Sequence, residues 1–163
     1  MRWPTSAGVP TGSSNADYQA GWGETNRRPL ETRVAAGEEP GIIAYLDGRP
    51  AAWVSVAPRT AFDHLNRSRN FAAIDAVPVW AVNCFVVARQ FRRQGLMPLL
   101  AKAAADFALA KGAPGVEAYP IDPSERSGAG DLYVGTTKAF ETAGYVEVAR
   151  PLPRRPIIRL MAK

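Results

Sequence analysis

The sequence predicts an α/β (α+β) protein built on one mixed, mostly antiparallel sheet with helices on its faces. Three observations carry this. Two strand-then-helix units stand in the middle of the chain, and such units pair their strands in parallel. A hairpin signature precedes them and two further strand patterns follow, which supplies antiparallel neighbours. The length of 163 residues suits one domain with a core of its own.

Residues 1–23 are rich in Gly, Ser, Pro, Thr and Asn and show no hydrophobic period. They are expected to form an irregular or flexible arm, with Tyr18 and Trp22 as anchors, ahead of a domain over 24–163. A short helix is expected over 24–36, ended by Gly37, with Leu30, Val34 and Ala35 as its few apolar positions. Strands over 41–46 and 51–56 flank Asp47-Gly48, a favoured two-residue turn because both positions tolerate positive φ. The polar stretch 58–76 reads as a loop. The apolar run 77–88, interrupted only by Pro78 and Asn83, reads as a buried central strand.

A helix follows over 96–111. Its positions 96, 99, 100, 103, 107 and 110 form one apolar stripe, Pro98 falls in the tolerant first turn, and Gly112 ends it. A strand over 116–119 stops at Pro120, and 121–131 is a loop. A second helix is expected over 133–143, closed by Gly144, and then strands over 145–149 and 156–161 joined by Pro151-Leu152-Pro153.

Composition narrows the function. Hydrophobic residues make up 47% and charged residues 21%, which fits a globular domain rather than a disordered chain. One cysteine and one histidine exclude an intrachain disulfide framework and a Cys/His zinc site. No apolar run reaches the roughly 18 residues of a membrane helix. No apolar leader segment opens the chain, so a cytoplasmic location, where the lone thiol of Cys84 stays reduced, is expected. The net charge of +5 suits an anionic partner. The arginine pairs Arg27-Arg28, Arg92-Arg93 and Arg154-Arg155 are scattered and no long basic run exists, which argues against nucleic acid.

The segment from Val86 to Leu100 carries the chemistry. A buried strand ends, a basic loop with Gly95 follows, and a helix begins. The free N–H groups and dipole of a helix start favour an anion, and arginines suit phosphate. A diphosphate is the natural ligand. Neither common nucleotide loop, Gly-x-x-x-x-Gly-Lys-Ser/Thr or Gly-x-Gly-x-x-Gly, is present.

This segment, Arg92-x-x-Gly95-x-Met97, resembles the acetyl-CoA loop of the GNAT superfamily of acyl-CoA-dependent N-acyltransferases, whose pattern is Gln/Arg-x-x-Gly-x-Gly/Ala. Met97 stands where a small residue is usual. The later Ala139-Phe140-Glu141-Thr142-Ala143-Gly144-Tyr145 is similar to that family's Phe-Tyr-Glu-Lys-x-Gly-Phe. So are the pieces Cys84-Phe85-Val86, Glu117-Ala118-Tyr119-Pro120 and Tyr133-Val134-Gly135-Thr136 to a bacterial subgroup. The resemblance covers about residues 24–163.

The resemblance implies a twisted sheet of about seven strands or slightly fewer, splayed between strands 80–88 and 116–119. It implies pantetheine bonded to backbone around Phe85, Val86 and Val87. The pyrophosphate would lie on Arg92, Arg93, Gln94, Gly95, Leu96 and Met97, with Phe140 also at the cofactor. Acetyl-CoA is then the co-substrate, with no metal. A small-molecule or peptide amine attacks the thioester directly. No membrane partner is implied, and a homodimer is an open option.

Such a reaction needs a base for the ammonium and an acid for the leaving thiolate. The family's usual tyrosine falls at Phe140, which cannot donate. Tyr133, seven residues upstream, shares the face of Phe140 if the helix includes it, and is the leading acid. Glu117 is the leading base and Asp122 the next. Each residue also has a plainer reading. Glu117 suits an arginine partner, Tyr133 a packing role, Cys84 burial, His64 an ordinary surface position, and Trp53 and Trp80 the core. Two functional rivals follow: a CoA-binding sensor without catalysis, and a small basic nucleic-acid-binding domain.

Overall fold

The computed structural model describes residues 24–123 and 132–163. The arm over 1–23 and most of the 121–131 loop lie outside the described residues. Among the described residues, six strands form one sheet in the order β1-β2-β3-β4-β6-β5. They are β1 (Gly41–Leu46), β2 (Arg49–Pro58), β3 (Trp80–Val87), β4 (Gly115–Ala118), β5 (Val146–Leu152) and β6 (Arg155–Met161). Only β3 and β4 pair in parallel, and the other neighbours are antiparallel. The β1–β2 turn has Asp47 at φ 49° and Gly48 at φ 71°, the two positive angles that match the twist of paired strands.

Among the described residues, four helices accompany the sheet: α1 (Glu24–Ala35), α2 (Asp63–Asn66), α3 (Leu96–Ala110) and α4 (Thr137–Thr142). Helix α3 lies on one face. It buries Leu96, Leu100, Ala101, Ala104, Ala105 and Ala108 against Val54, Val56, Val82, Phe85 and Val116. The opposite face holds a smaller cluster around Phe62, Leu65, Ala81, Tyr119 and Ile157.

The structure corrects four boundaries and one face. Strand β3 starts at Trp80, because Pro78 has no N–H to give a ladder and Val79 bonds back to Val77. The 58–76 stretch is not all loop. Strand β2 runs on to Pro58, followed by a 3₁₀ turn over Arg59–Ala61 and by α2. Helix α4 starts at Thr137 instead of 133. Gly135 takes φ +84°, which no helix accepts, and the Thr136 hydroxyl caps the helix by accepting from Ala139 N at 3.3 Å. Strand β5 extends past 149 to Leu152. The buried face of α3 is the alanine face. Small side chains let the helix approach the sheet closely, and Leu99 is left 67% exposed.

Candidate active site

The site is built on a half-paired strand. Pairing of β3 with β4 ends at Val82↔Ala118, although β3 continues to Val87. The two strands part there, so the expected splay is present. The Ala88 N–H donates to Ala51 O at 2.9 Å, on the β2 side. Main-chain groups alternate along a strand, so those of Val86 face β2 and those of Phe85 and Val87 face the opening. Arg92 Nε donates to Val87 O at 3.1 Å, which agrees with that direction. Of the three residues expected to meet pantetheine, two turn backbone toward the opening.

At the end of β3 a 3₁₀ turn over Arg89–Phe91 leads into the basic loop. Arg93 takes φ 62° and Gly95 φ 72°. Gly95 is the N-cap of α3 and supplies no side chain to the first-turn N–H groups. A left-handed residue followed by a helical one turns successive N–H groups toward one point, which is an anion-binding arrangement. Arg92, Arg93, Gln94 and Gly95 are exposed, Leu96 is buried under the loop and Met97 is half-buried. Pro98 falls in the first turn and takes away only an N–H that lacks a helical acceptor.

Glu117 does not present a free carboxylate. It is 2% exposed and sits opposite Arg159 across the β4–β6 ladder. Its Oε1 accepts from Arg159 Nε at 3.0 Å, and its Oε2 accepts from the Tyr119 hydroxyl at 2.7 Å. Arg59 Nε stands 4.0 Å from that second oxygen and donates to the Tyr119 oxygen at 3.1 Å. Burial and the neighbouring Glu117 push the Tyr119 hydroxyl pKa well up. Arg159 continues to Asp75 at 2.6 Å, and Arg59 to the Phe71 carbonyl at 2.6 Å. The group is therefore a buried clamp that fastens the 67–79 loop to β4 and β6. The geometry favours the arginine-partner reading of Glu117, because proton acceptance would have to displace Arg159 or Tyr119.

Tyr133 lies in a 3₁₀ turn over Leu132–Val134 and is 54% exposed. It is not on α4, so the shared helical face with Phe140 is not realised. The turn nevertheless packs beside β3. It is drawn in by the next residues: Ile121 bridges Thr136, and the Ile121 N–H donates to Gly135 O at 3.0 Å. Phe140 is fully buried, edge-on to Phe85 and to Tyr145 at centroid distances of 5.5 and 5.1 Å. It supports the opening from beneath and does not line it with an exposed ring. Asp122 is engaged by the Thr137 hydroxyl and by Arg150, which together hold its carboxyl below the usual range. Cys84 is buried, and burial pushes its thiol up to about 12.

Sequence reasoning passed over Asn83. It is the first residue of β3 beyond the last β4 pair, and the β2 register skips it, with Ser55↔Cys84 followed by Val56↔Val82. The signal was a polar residue inside an apolar strand. Among the described residues no group of three or more His, Cys, Asp or Glu side chains is placed to hold a metal, and no helix is long and apolar enough to cross a membrane.

A family model described as "Acetyltransferase (GNAT) family" matches residues 12–133. The chain belongs to this family. The GNAT match begins inside the segment set apart as an arm, so part of 1–23 is family sequence. No curated protein matches the chain. Solved structures share the GNAT fold at low identity. Aminoglycoside acetyltransferase AAC(6')-Ib in complex with coenzyme A and kanamycin is 12% identical at TM-score 0.57, over 83% of this chain and 75% of that one. A GNAT acetyltransferase from Listeria monocytogenes 4b F2365 is 14% identical at TM-score 0.55, over 93% and 78%. A ribosomal-protein-alanine N-acetyltransferase from Brucella melitensis is 16% identical at TM-score 0.52, over 85% and 78%. In the AAC(6')-Ib complex with acetyl-CoA, this chain spans 62% of the length of its neighbour.

Proposed function

We propose that the chain is an acyl-CoA-dependent N-acetyltransferase, moving acetyl from acetyl-CoA to a primary amine by direct attack in a ternary complex. The observation that carries this is the half of β3 beyond Val82, which has no β4 partner and leads straight into the Gly95 start of α3. The backbone of Phe85 and Val87, which β4 does not pair, supplies amide partners for pantetheine. The N–H groups from Gly95 to Met97, with Arg92 and Arg93, fit the pyrophosphate. To take Val87 O, the pantetheine amide displaces the Arg92 side chain, which is then free for phosphate. Tyr133, exposed on a turn beside β3, is the proposed donor to the departing thiolate.

The reading is tested by thermal shift with acetyl-CoA, followed by thiol release with a panel of a diamine, a polyamine, an alanine-initiated peptide and kanamycin, a ligand of one structural neighbour. Stabilisation with amine-dependent thiol release is the expected result. An unchanged melting temperature at millimolar acetyl-CoA would overturn the reading. A second reading, a CoA-binding sensor, is favoured by Phe140 at the family's tyrosine position and by the engaged Glu117. It predicts stabilisation with no thiol release from any amine.

A further inference from the structure

We propose that Arg155, on the β4 lip of the opening, binds a carboxylate carried by the acceptor, so that the substrate is a small amine bearing a carboxylate, an amino acid in the broad sense. This rests on the acetyltransferase reading and deepens it by naming the acceptor class.

The place of the guanidinium follows from the strand register. Main-chain groups alternate from side to side along a strand. Pro114 O accepts from Ala162 N, and Asp122 N donates to Arg154 O, so the even-numbered groups of this stretch turn toward β6 and its hairpin. Ile121 N donates to Gly135 O, on the other side. The Tyr119 carbonyl therefore turns away from β6, toward the side that β3 pairs as far as Ala118. Arg155 is the first residue of β6, and its side chain reaches across β4. Its Nε donates to Pro120 O at 3.2 Å and its Nη2 to Tyr119 O at 3.0 Å. The second bond sets the tip of the side chain at the opening, one residue past the last β3–β4 pair. Its guanidinium also lies 5.0 Å from the centre of the Phe71 ring, which packs with Tyr119 and Ile157 on the face opposite α3. The phosphate loop leads into α3, so an acceptor that reaches the opening from the side opposite that helix meets Arg155.

Charge points to what Arg155 holds. On the same face Arg59 and Arg159 share Glu117 and Asp75. Arg155 is half-buried, and among the described residues its partners are two carbonyls and a ring, with no carboxylate. These fix the guanidinium without neutralising it, and its Nη1 makes no hydrogen bond to a described residue. Burial is the largest effect on Arg155 and lowers its pKa, as expected of a cation short of a counter-charge. A carboxylate on the acceptor supplies that charge through charge-assisted hydrogen bonds. One surplus positive charge matches a monoanion, whereas a phosphate ester at neutral pH carries about −1.5 to −2 and would leave the site negative.

The test pairs L-phenylalanine, L-alanine and 4-aminobutanoate with the amines that decarboxylation leaves: 2-phenylethylamine, ethylamine and propylamine. Thiol release from acetyl-CoA gives kcat/KM for each in the parent and in Arg155→Met, which keeps an unbranched stem against Phe71 and removes the charge. The acid-over-amine preference of the best pair should fall about tenfold or more in the variant, through the KM of the acid, with the KM for acetyl-CoA unchanged. Differences in amine basicity cancel in this comparison. A readout free of turnover and of the variant uses the parent with CoA. N-acetyl-L-phenylalanine, N-acetyl-L-alanine or 4-acetamidobutanoate should raise the melting temperature, and the matching neutral acetamides at equal concentration should not. Failure of acetyl-CoA to stabilise the protein would overturn the acetyltransferase reading. With that stabilisation present, an acid preference that survives Arg155→Met, or acids that stabilise the CoA complex no better than the acetamides, would overturn the Arg155 assignment alone.

Discussion

At the scale of single residues, Gly95 and Tyr133 make opposite demands. A Cβ at Gly95 would meet nothing within 4 Å, so the site has room, but its φ of 72° suits glycine. Asparagine tolerates that angle and matches aspartate in shape. Gly95→Asn should therefore bind acetyl-CoA within a few-fold of the parent. Gly95→Asp places a carboxylate at the helix start where the pyrophosphate belongs, and should weaken binding at least tenfold more. Equal affinities of the two variants by titration calorimetry would show that no phosphate lies there. Tyr133 is judged by rate. Tyr133→Phe should lower kcat by about 10²-fold with acetyl-CoA affinity kept, the loss expected for a missing acid. Phe140→Tyr in that background should not restore the rate. Phe140 is fully buried and off the Tyr133 turn, so a hydroxyl there enters the core. A rescued kcat would mean that α4 reaches the thiolate after all.

At the scale of elements, the Glu117 clamp joins β4, β6 and the 67–79 loop. Removing one charge of a buried pair leaves the other uncompensated, at a cost of about 3–5 kcal/mol. For a domain of this size that is a drop in melting temperature of about 10 °C or more. Glu117→Gln should show that drop in a thermal melt, whereas a solvent-facing base would lower kcat and leave the melt in place. This clamp also marks where sequence reading stops. The hairpin was legible because Asp47-Gly48 dictates its own turn, and the anion loop because Arg92 to Met97 is continuous between a strand and a helix. Arg159 meets Glu117 across 42 residues and Asp75 across 84, and only the sheet register brings them together. The true start of α4 was hidden for a related reason. Gly135 must lack a Cβ because one would fall 2.6 Å from Phe140 and 2.9 Å from Phe85, residues of two separate elements. The α3 stripe misled because hydrophobicity favours Leu99, while close approach to the sheet favours alanine.

For the whole molecule, the sheet is two antiparallel halves, β1-β2-β3 and β4-β6-β5, joined by a short parallel contact of three residue pairs. That joint is the weakest part of the ladder. A ligand that bridges the opening should stiffen both halves at once. Acetyl-CoA at about 100 times its dissociation constant adds about 2.7 kcal/mol through binding to the native state alone. The corresponding rise in melting temperature is roughly 5–10 °C for a chain of this length. Where the ligand bonds can be read separately by hydrogen exchange. The Val86 amide faces β2 and should be protected with or without ligand, because its opening follows that of the β2–β3 ladder. The amides of Phe85 and Val87 face the opening, where β4 gives them no partner, and should gain protection when acetyl-CoA binds. Adenosine 3′,5′-bisphosphate should protect the amides of Gly95 to Met97 and leave Phe85 and Val87 unchanged, because it has no pantetheine. If acetyl-CoA raises the melting temperature while protecting only the α3 amides, the arm does not lie along β3, and the thioester must then be sought elsewhere on the sheet.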